Sequence, residues 1–137
     1  MKTFAEVLTF MYDNINGFLA TCGNDHKPHV RAVQFMMEDN GKLYFATSSK
    51  KDVSKQLKEN PVIEYAVSTP DFSKNVRISG EVTFVNDLEL NQRIMESFSF
   101  LKDLYKSPDN PEFEVYYLEH GTAKYWDFEG VSEQFDF

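Results

Sequence analysis

The sequence predicts a mainly β protein, a small six-stranded antiparallel β-barrel with peripheral helices. Three observations carry this. Six strand-like runs lie at Phe18–Cys22, Pro28–Met37, Lys42–Ser48, Val62–Thr69, Lys74–Val85 and Phe113–Trp126. The turn sequences Gly23-Asn24-Asp25 and Asp39-Asn40-Gly41 join the first three as antiparallel neighbours. The glycines, at 17, 23, 41, 80, 121 and 130, are too dispersed for the Gly-x-Gly-x-x-Gly turn of a doubly wound fold.

In chain order, Thr3-x-x-Glu6 is a capping box, and Phe4, Val7, Leu8, Met11 and Ile15 recur at helical spacing until Asn16-Gly17. This predicts a packed helix from Thr3 to about Ile15. After the first three strands, a lysine-rich helix is expected over Lys50–Glu59, ended by Asn60-Pro61. The Lys74–Val85 run alternates, with Val76, Ile78, Gly80, Val82 and Phe84 on one face and polar residues on the other. Asn86-x-x-Glu89 opens a second amphipathic pattern, where Leu90, Ile94, Phe98, Leu101 and Tyr105 predict one helix. Ser107 to Pro111 reads as a loop, and the last strand alternates aromatic and polar residues. No repeat or linker divides the chain, so residues 1–128 are read as one domain and 129–137 as an acidic tail, mobile or packed on a partner.

Composition narrows the function classes. The 137 residues carry 14 Lys plus Arg against 22 Asp plus Glu, a net charge of −8 that argues against nucleic-acid and anionic-membrane partners. With 42% apolar and 15% aromatic residues the chain can fill a core. No apolar run approaches the roughly 20 residues of a spanning helix, and the first ten residues lack a signal pattern, so a soluble cytoplasmic protein is expected. The single Cys22 excludes an internal disulfide and is read as a small buried residue. His26, His29 and His120 show no metal-ligand spacing, and no Gly-x-Ser-x-Gly elbow supports a hydrolase.

One segment stands out. A strand ending in Thr47, Ser48 and Ser49 hands over to a helix whose expected first turn holds Lys50 and Lys51, the end at which a helix dipole disfavours cations. A phosphate among the hydroxyls, backbone amides and ammonium groups would reconcile the two. A solvated lysine face continuing through Lys55 and Lys58 is the other reading, and both stay open. Arg31, among apolar neighbours on the His29-Val-Arg-Ala-Val33 strand, needs an anionic partner, either a carboxylate or that same phosphate. Trp126 can be core, interface anchor or a ring stacked on a cofactor.

Taken together, Gly17-Phe-Leu-Ala-Thr21, Pro28-His-Val-Arg-Ala-Val33, Leu43-Tyr-Phe-Ala-Thr47, Lys50-Lys51, Gln56-Leu, Asn60-Pro61, Val76-Arg-Ile-Ser-Gly-Glu81 and Ala123-Lys-Tyr-Trp126 span nearly the whole chain. In order and spacing they resemble the pyridoxine 5′-phosphate oxidase-like FMN-binding split-barrel family. The resemblance implies a homodimer with two FMN molecules in clefts between the subunits. It implies that Arg31, Ala32 and Val33 and then Phe45, Ala46 and Thr47 run beside the flavin, and that Ser49, Lys50 and Lys51 hold its phosphate. It further implies that Asn75 touches the flavin and that Trp126 approaches it from the partner subunit. The activity implied is hydride or electron transfer between NAD(P)H and a small organic acceptor, with an FMN-storing or FMN-sensing module as the alternative; deazaflavin-using relatives share the barrel. No arginine follows Arg93 and no histidine follows His120, so the C-terminal Arg-x-His substrate segment of the true oxidase has no counterpart, which argues against pyridoxine phosphate as substrate.

Overall fold

The computed structural model describes residues 1–137. The elements are α1 (Phe4–Asp13), β1 (Asn16–Cys22), β2 (Pro28–Gln34), β3 (Met37–Asp39), β4 (Lys42–Ser48), α2 (Asp52–Glu59), β5 (Val62–Ser68), β6 (Lys74–Val85), α3 (Leu88–Ser97), α4 (Ser99–Tyr105), β7 (Phe113–Asp127) and β8 (Ser132–Asp136). The strands form one antiparallel sheet in the order β2-β1-β5-β6-β7-β4-β3, with β8 also on β7. It is the expected mainly β architecture, with eight strands where the sequence reading has six.

The two additional strands have separate origins. The Pro28–Met37 run breaks at Phe35 and Met36, where the chain changes partners: the Phe35 N–H donates to Ile15 O at 2.9 Å, and the Met36 N–H to Tyr44 O at 3.1 Å. Within one residue the backbone leaves β1 and joins β4, which curls the sheet towards closure. The second addition corrects the reading of the C-terminal segment as a mobile or partner-packed tail. It turns back at Gly130, whose φ of 89° suits glycine, and pairs along β7 from Trp126↔Ser132 to Thr122↔Asp136. Acidic composition masked an alternation, since Phe135 and Phe137 pack against the core and Phe137 lies 5.1 Å from the Phe4 ring.

The 15-residue β7 organises the barrel. Its first part pairs with β4, its last part with β8, and β6 runs along the opposite edge throughout. The change of partner coincides with a register shift after Gly80↔Gly121. There the two backbones approach so closely that a Cβ on Gly121 would lie 2.3 Å from Ser79 O.

The barrel interior holds Leu19, Phe35, Leu43, Phe45, Tyr65, Ile78, Tyr116 and Leu118, all essentially inaccessible, with α1 covering one end through Val7, Phe10 and Met11. A smaller core lies under α3 and α4, around Leu90, Ile94, Met95 and Leu101. The single helix expected over this stretch is two. Phe98 leaves helical geometry at φ −130° and ψ 82° and caps α3, while the apolar spacing continues into α4. Asp87, not Asn86, is the N-cap, accepting from the Leu90 N–H at 3.2 Å. Cys22 is half-buried. No helix is long and apolar enough to cross a membrane.

Candidate functional site

The barrel is incompletely closed between β2 and β4. β2 pairs only with β1, and β4 meets β3 no further than Tyr44, so the backbone of β2 and the Phe45–Ser48 edge of β4 lack ladder partners where they face one another. Unpaired backbone donors and acceptors must meet water or a ligand. A cavity of about 210 Å³ opens there, lined by Arg31, Ala32, Val33, Ala46, Thr47 and Lys51, with Leu101, Leu104 and Tyr105 of α4 among the remaining lining residues.

The lysine pair does not sit in the first turn of the helix. α2 begins at Asp52, and Lys51 is its N-cap residue, with no side-chain cap on the helix amides. The turn before it explains the shift: the Lys51 N–H donates to Ser48 O at 3.0 Å and the Lys50 N–H to Ser48 Oγ at 3.2 Å. Cations just before an uncapped helix start still meet its positive dipole end. Lys50 pairs with Glu112 at 2.9 Å, Lys55 with Glu59 at 3.9 Å and Lys58 with Glu114 at 2.6 Å. Lys51 is the lysine of this stretch that has no carboxylate partner and lines the cavity.

Arg31 projects to the inner side of β2, half-buried. Its Nη1 donates to Thr21 Oγ1 at 2.7 Å and, at 3.4 Å, to Leu19 O and His29 O, while Nη2 donates to Gln56 Oε1 at 2.5 Å. Every acceptor is neutral. No carboxylate lies within ion-pair distance, so the carboxylate partner that the sequence left open is absent. Burial lowers the arginine's pKa, with Tyr116 and Asp52 opposing that shift, and the group remains a cation at any ordinary pH.

The other expected residues divide by location. Phe45 is fully buried against Phe35, Tyr65 and Tyr116 and does not line the cleft, so it belongs to the core. Ser49 and Lys50 are tied to the start of β7, through the Ser49 N–H to Glu112 O bond at 2.9 Å and the Lys50 ion pair. Asn75 and Trp126 are cross-strand partners on β6 and β7, in a separate cavity of about 560 Å³. That cavity is also lined by Phe18, Phe72, Arg77 and Lys124, and it shares no residue with the first.

Trp126 is 48% exposed and Phe72 65% exposed. Phe72 sits at φ 61°, a conformation unusual for an aromatic residue. Asn75 Nδ2 donates to Phe72 O at 2.8 Å, so this amide braces the loop at the cavity. Asp71 Oδ1 accepts from the Ser73 N–H at 3.0 Å, Ser73 Oγ at 2.7 Å and Thr69 Oγ1 at 2.7 Å, and these bonds hold its carboxyl down at about 2. Sequence reasoning missed Phe72, whose signal is an aromatic residue placed in a Pro-Asp turn. It also missed the parts played by Thr21 and Gln56, which carry no local signal because they meet Arg31 only in the fold.

A sequence profile described as pyridoxamine 5′-phosphate oxidase matches residues 4–127. The chain belongs to the pyridoxamine 5′-phosphate oxidase family. A pyridoxine/pyridoxamine 5′-phosphate oxidase from Ehrlichia ruminantium is 33% identical over 80 residues, 58% of this chain and 41% of that protein. The chain thus spans less than half the length of this curated relative. A NimC/NimA family protein from Clostridium acetobutylicum superposes with a TM-score of 0.86 at 29% identity, covering 97% of this chain and 91% of that one. A family-related FMN-binding protein from Nostoc punctiforme shares the fold at a TM-score of 0.62 and 13% identity, over 98% and 96% of the two chains. The same fold recurs in a heme-binding protein from Mycobacterium smegmatis at 19% identity and in an F420 reductase at 23%.

Proposed function

We propose that this member of the family binds FMN and works as an FMN-dependent oxidoreductase between NAD(P)H and a small organic acceptor. The observation that carries the reading is the β2/β4 cleft. There Arg31 and Lys51, two cations without carboxylate partners, meet an uncapped helix start beside two unpaired backbone edges. A phosphate monoester suits the cations and free amides, and a planar ring with alternating donors and acceptors suits the edges. Lys51, Arg31 and Thr47 would hold the phosphate, while the backbone of Ala32 and Ala46, beside Val33, would orient the ring. FMN, when bound, supplies the hydride and electron chemistry. Heme has less support, because none of the three histidines lines either cavity.

The active form in this reading is a homodimer. About 210 Å³ is below the roughly 300–1,000 Å³ of an ordinary small-molecule site. The exposed aromatic groups Phe72 and Trp126 lie on the other cavity of the same chain, so a second copy is needed to bring them over the cleft. The outward faces of β1 and β2 present Phe18 and Val30 unpartnered, beside Ala32, as an apolar surface for that copy.

The test is direct. Purified protein should carry a flavin spectrum or take up added FMN, and NADH or NADPH should bleach it. Protein that stays colourless with excess FMN refutes the reading; flavin that binds but resists both donors turns it into a binding or storage module.

A further inference from the structure

We propose that Gln56 is a positioning residue that holds Arg31 in place without neutralising it, and so reserves the arginine's charge for the phosphate of the cofactor. The inference rests on the FMN reading and goes beyond it by assigning a role to a residue on the far side of the guanidinium.

Arg31, Thr21 and Gln56 form a closed hydrogen-bonded triangle. Gln56 Oε1 accepts from Arg31 Nη2 at 2.5 Å and from Thr21 Oγ1 at 2.6 Å, while Thr21 Oγ1 accepts from Arg31 Nη1 at 2.7 Å. Thr21 is buried and Gln56, on α2, is half-buried, so the triangle is rigid compared with a surface contact. Leu19 O and His29 O complete the acceptors on the Nη1 side. The Nε–H has no acceptor in the protein, and Arg31 lines the cleft. One side of the guanidinium fork is therefore anchored and the other remains available to a ligand, as bidentate recognition of a phosphate requires.

The choice of a neutral anchor is what needs explaining. In a chain with 22 carboxylates, a partly buried arginine would ordinarily take one of them, and a glutamate at position 56 would reach as far as the glutamine does. The amide gives up that ion pair. Its return is an arginine that is oriented, partly desolvated and still fully charged, which strengthens its attraction to an incoming anion.

The experiment uses the full-length protein freed of cofactor, titrated separately with FMN and with riboflavin, which has the same ring and no phosphate, alongside a thermal melt of the apoprotein. Gln56→Glu should raise the apoprotein melting temperature through the new ion pair, weaken FMN at least tenfold and leave riboflavin unchanged, so that the FMN-to-riboflavin preference collapses. Gln56→Met, neutral and of similar length, removes the anchor without adding charge and should weaken FMN about threefold or more, again sparing riboflavin. It serves as the second variant should the glutamate impair folding. Wild-type protein that binds FMN, with variants that bind it as tightly or that lose FMN and riboflavin in parallel, overturns the assignment of Gln56 alone. Wild-type protein that binds no FMN overturns the cofactor reading and this inference with it.

Discussion

Replacing Phe18 with serine tests whether two copies complete each site. Phe18 lies on the outward face of β1, opposite Ala32 of β2 on one side and Ala66 of β5 on the other, and is 58% exposed. A phenylalanine side chain offers on the order of 200 Å², so covering this one removes about 115 Å² from water, worth about 3 kcal/mol at about 25 cal/mol per Å². In a two-fold dimer the contact is made twice, and about 6 kcal/mol corresponds to roughly four orders of magnitude in dissociation constant. Losses of freedom on association and repacking around the serine reduce that figure, so a rise of at least about 100-fold is the expected outcome. Sedimentation velocity from nanomolar to micromolar protein measures it. FMN affinity should fall with dilution in the variant although Phe18 does not line the phosphate cleft. Wild-type protein that is monomeric at micromolar concentration while binding FMN tightly, or a Phe18→Ser variant with an unchanged dissociation constant, would refute the reasoning.

Lys51→Ala should weaken FMN by roughly 10- to 100-fold, the worth of a charge-assisted bond. Lys50→Ala should change it by less than about threefold, because Lys50 already answers Glu112 at an exposed site; fluorescence titration separates the two, and equal effects would sink the distinction. Tyr116→Phe removes a fully buried hydroxyl that has no hydrogen-bond partner, so it should leave stability unchanged or raise it by about 1 kcal/mol, read as a small upward shift in melting temperature. A marked drop would mean that the hydroxyl has a partner in solution. Asp71 is held down at about 2, chiefly by the Ser73 N–H. Because its folded pKa lies below its unfolded one, its contribution is complete above about pH 4 and is lost as pH falls towards 2. Acid melts of wild type and Asp71→Asn should therefore converge across that window, and curves that stay parallel would contradict the sign.

Much of the fold was legible because its signals are local. The strands Lys42–Ser48 and Lys74–Val85 are found with the expected boundaries, the first as a strand-like run beginning after the Asp39-Asn40-Gly41 turn and the second from its alternation. The misread boundaries are where a non-local partner decides. Nothing in residues 28–37 announces that the chain changes sheet edges at Phe35, because Ile15 and Tyr44 supply the two acceptors. Apolar spacing runs unbroken across Phe98, so the break between α3 and α4 is invisible to periodicity. For the candidate site, Lys51 and Thr47 were readable from a strand-to-helix junction and Arg31 from a lone guanidinium among apolar residues. The neutral character of the arginine's acceptors was not readable, since Thr21 and Gln56 lie 10 and 25 residues away in sequence.

Phe72 carries a consequence for anyone seeking a hardier version of this protein. Its left-handed backbone costs an L-residue on the order of 1–2 kcal/mol that glycine would not incur, so selection for heat resistance alone should drift towards glycine there. The gain would remove the exposed ring from the cavity that Trp126 also lines. A variant library scored on melting temperature alone would discard an aromatic ring that lines the larger cavity.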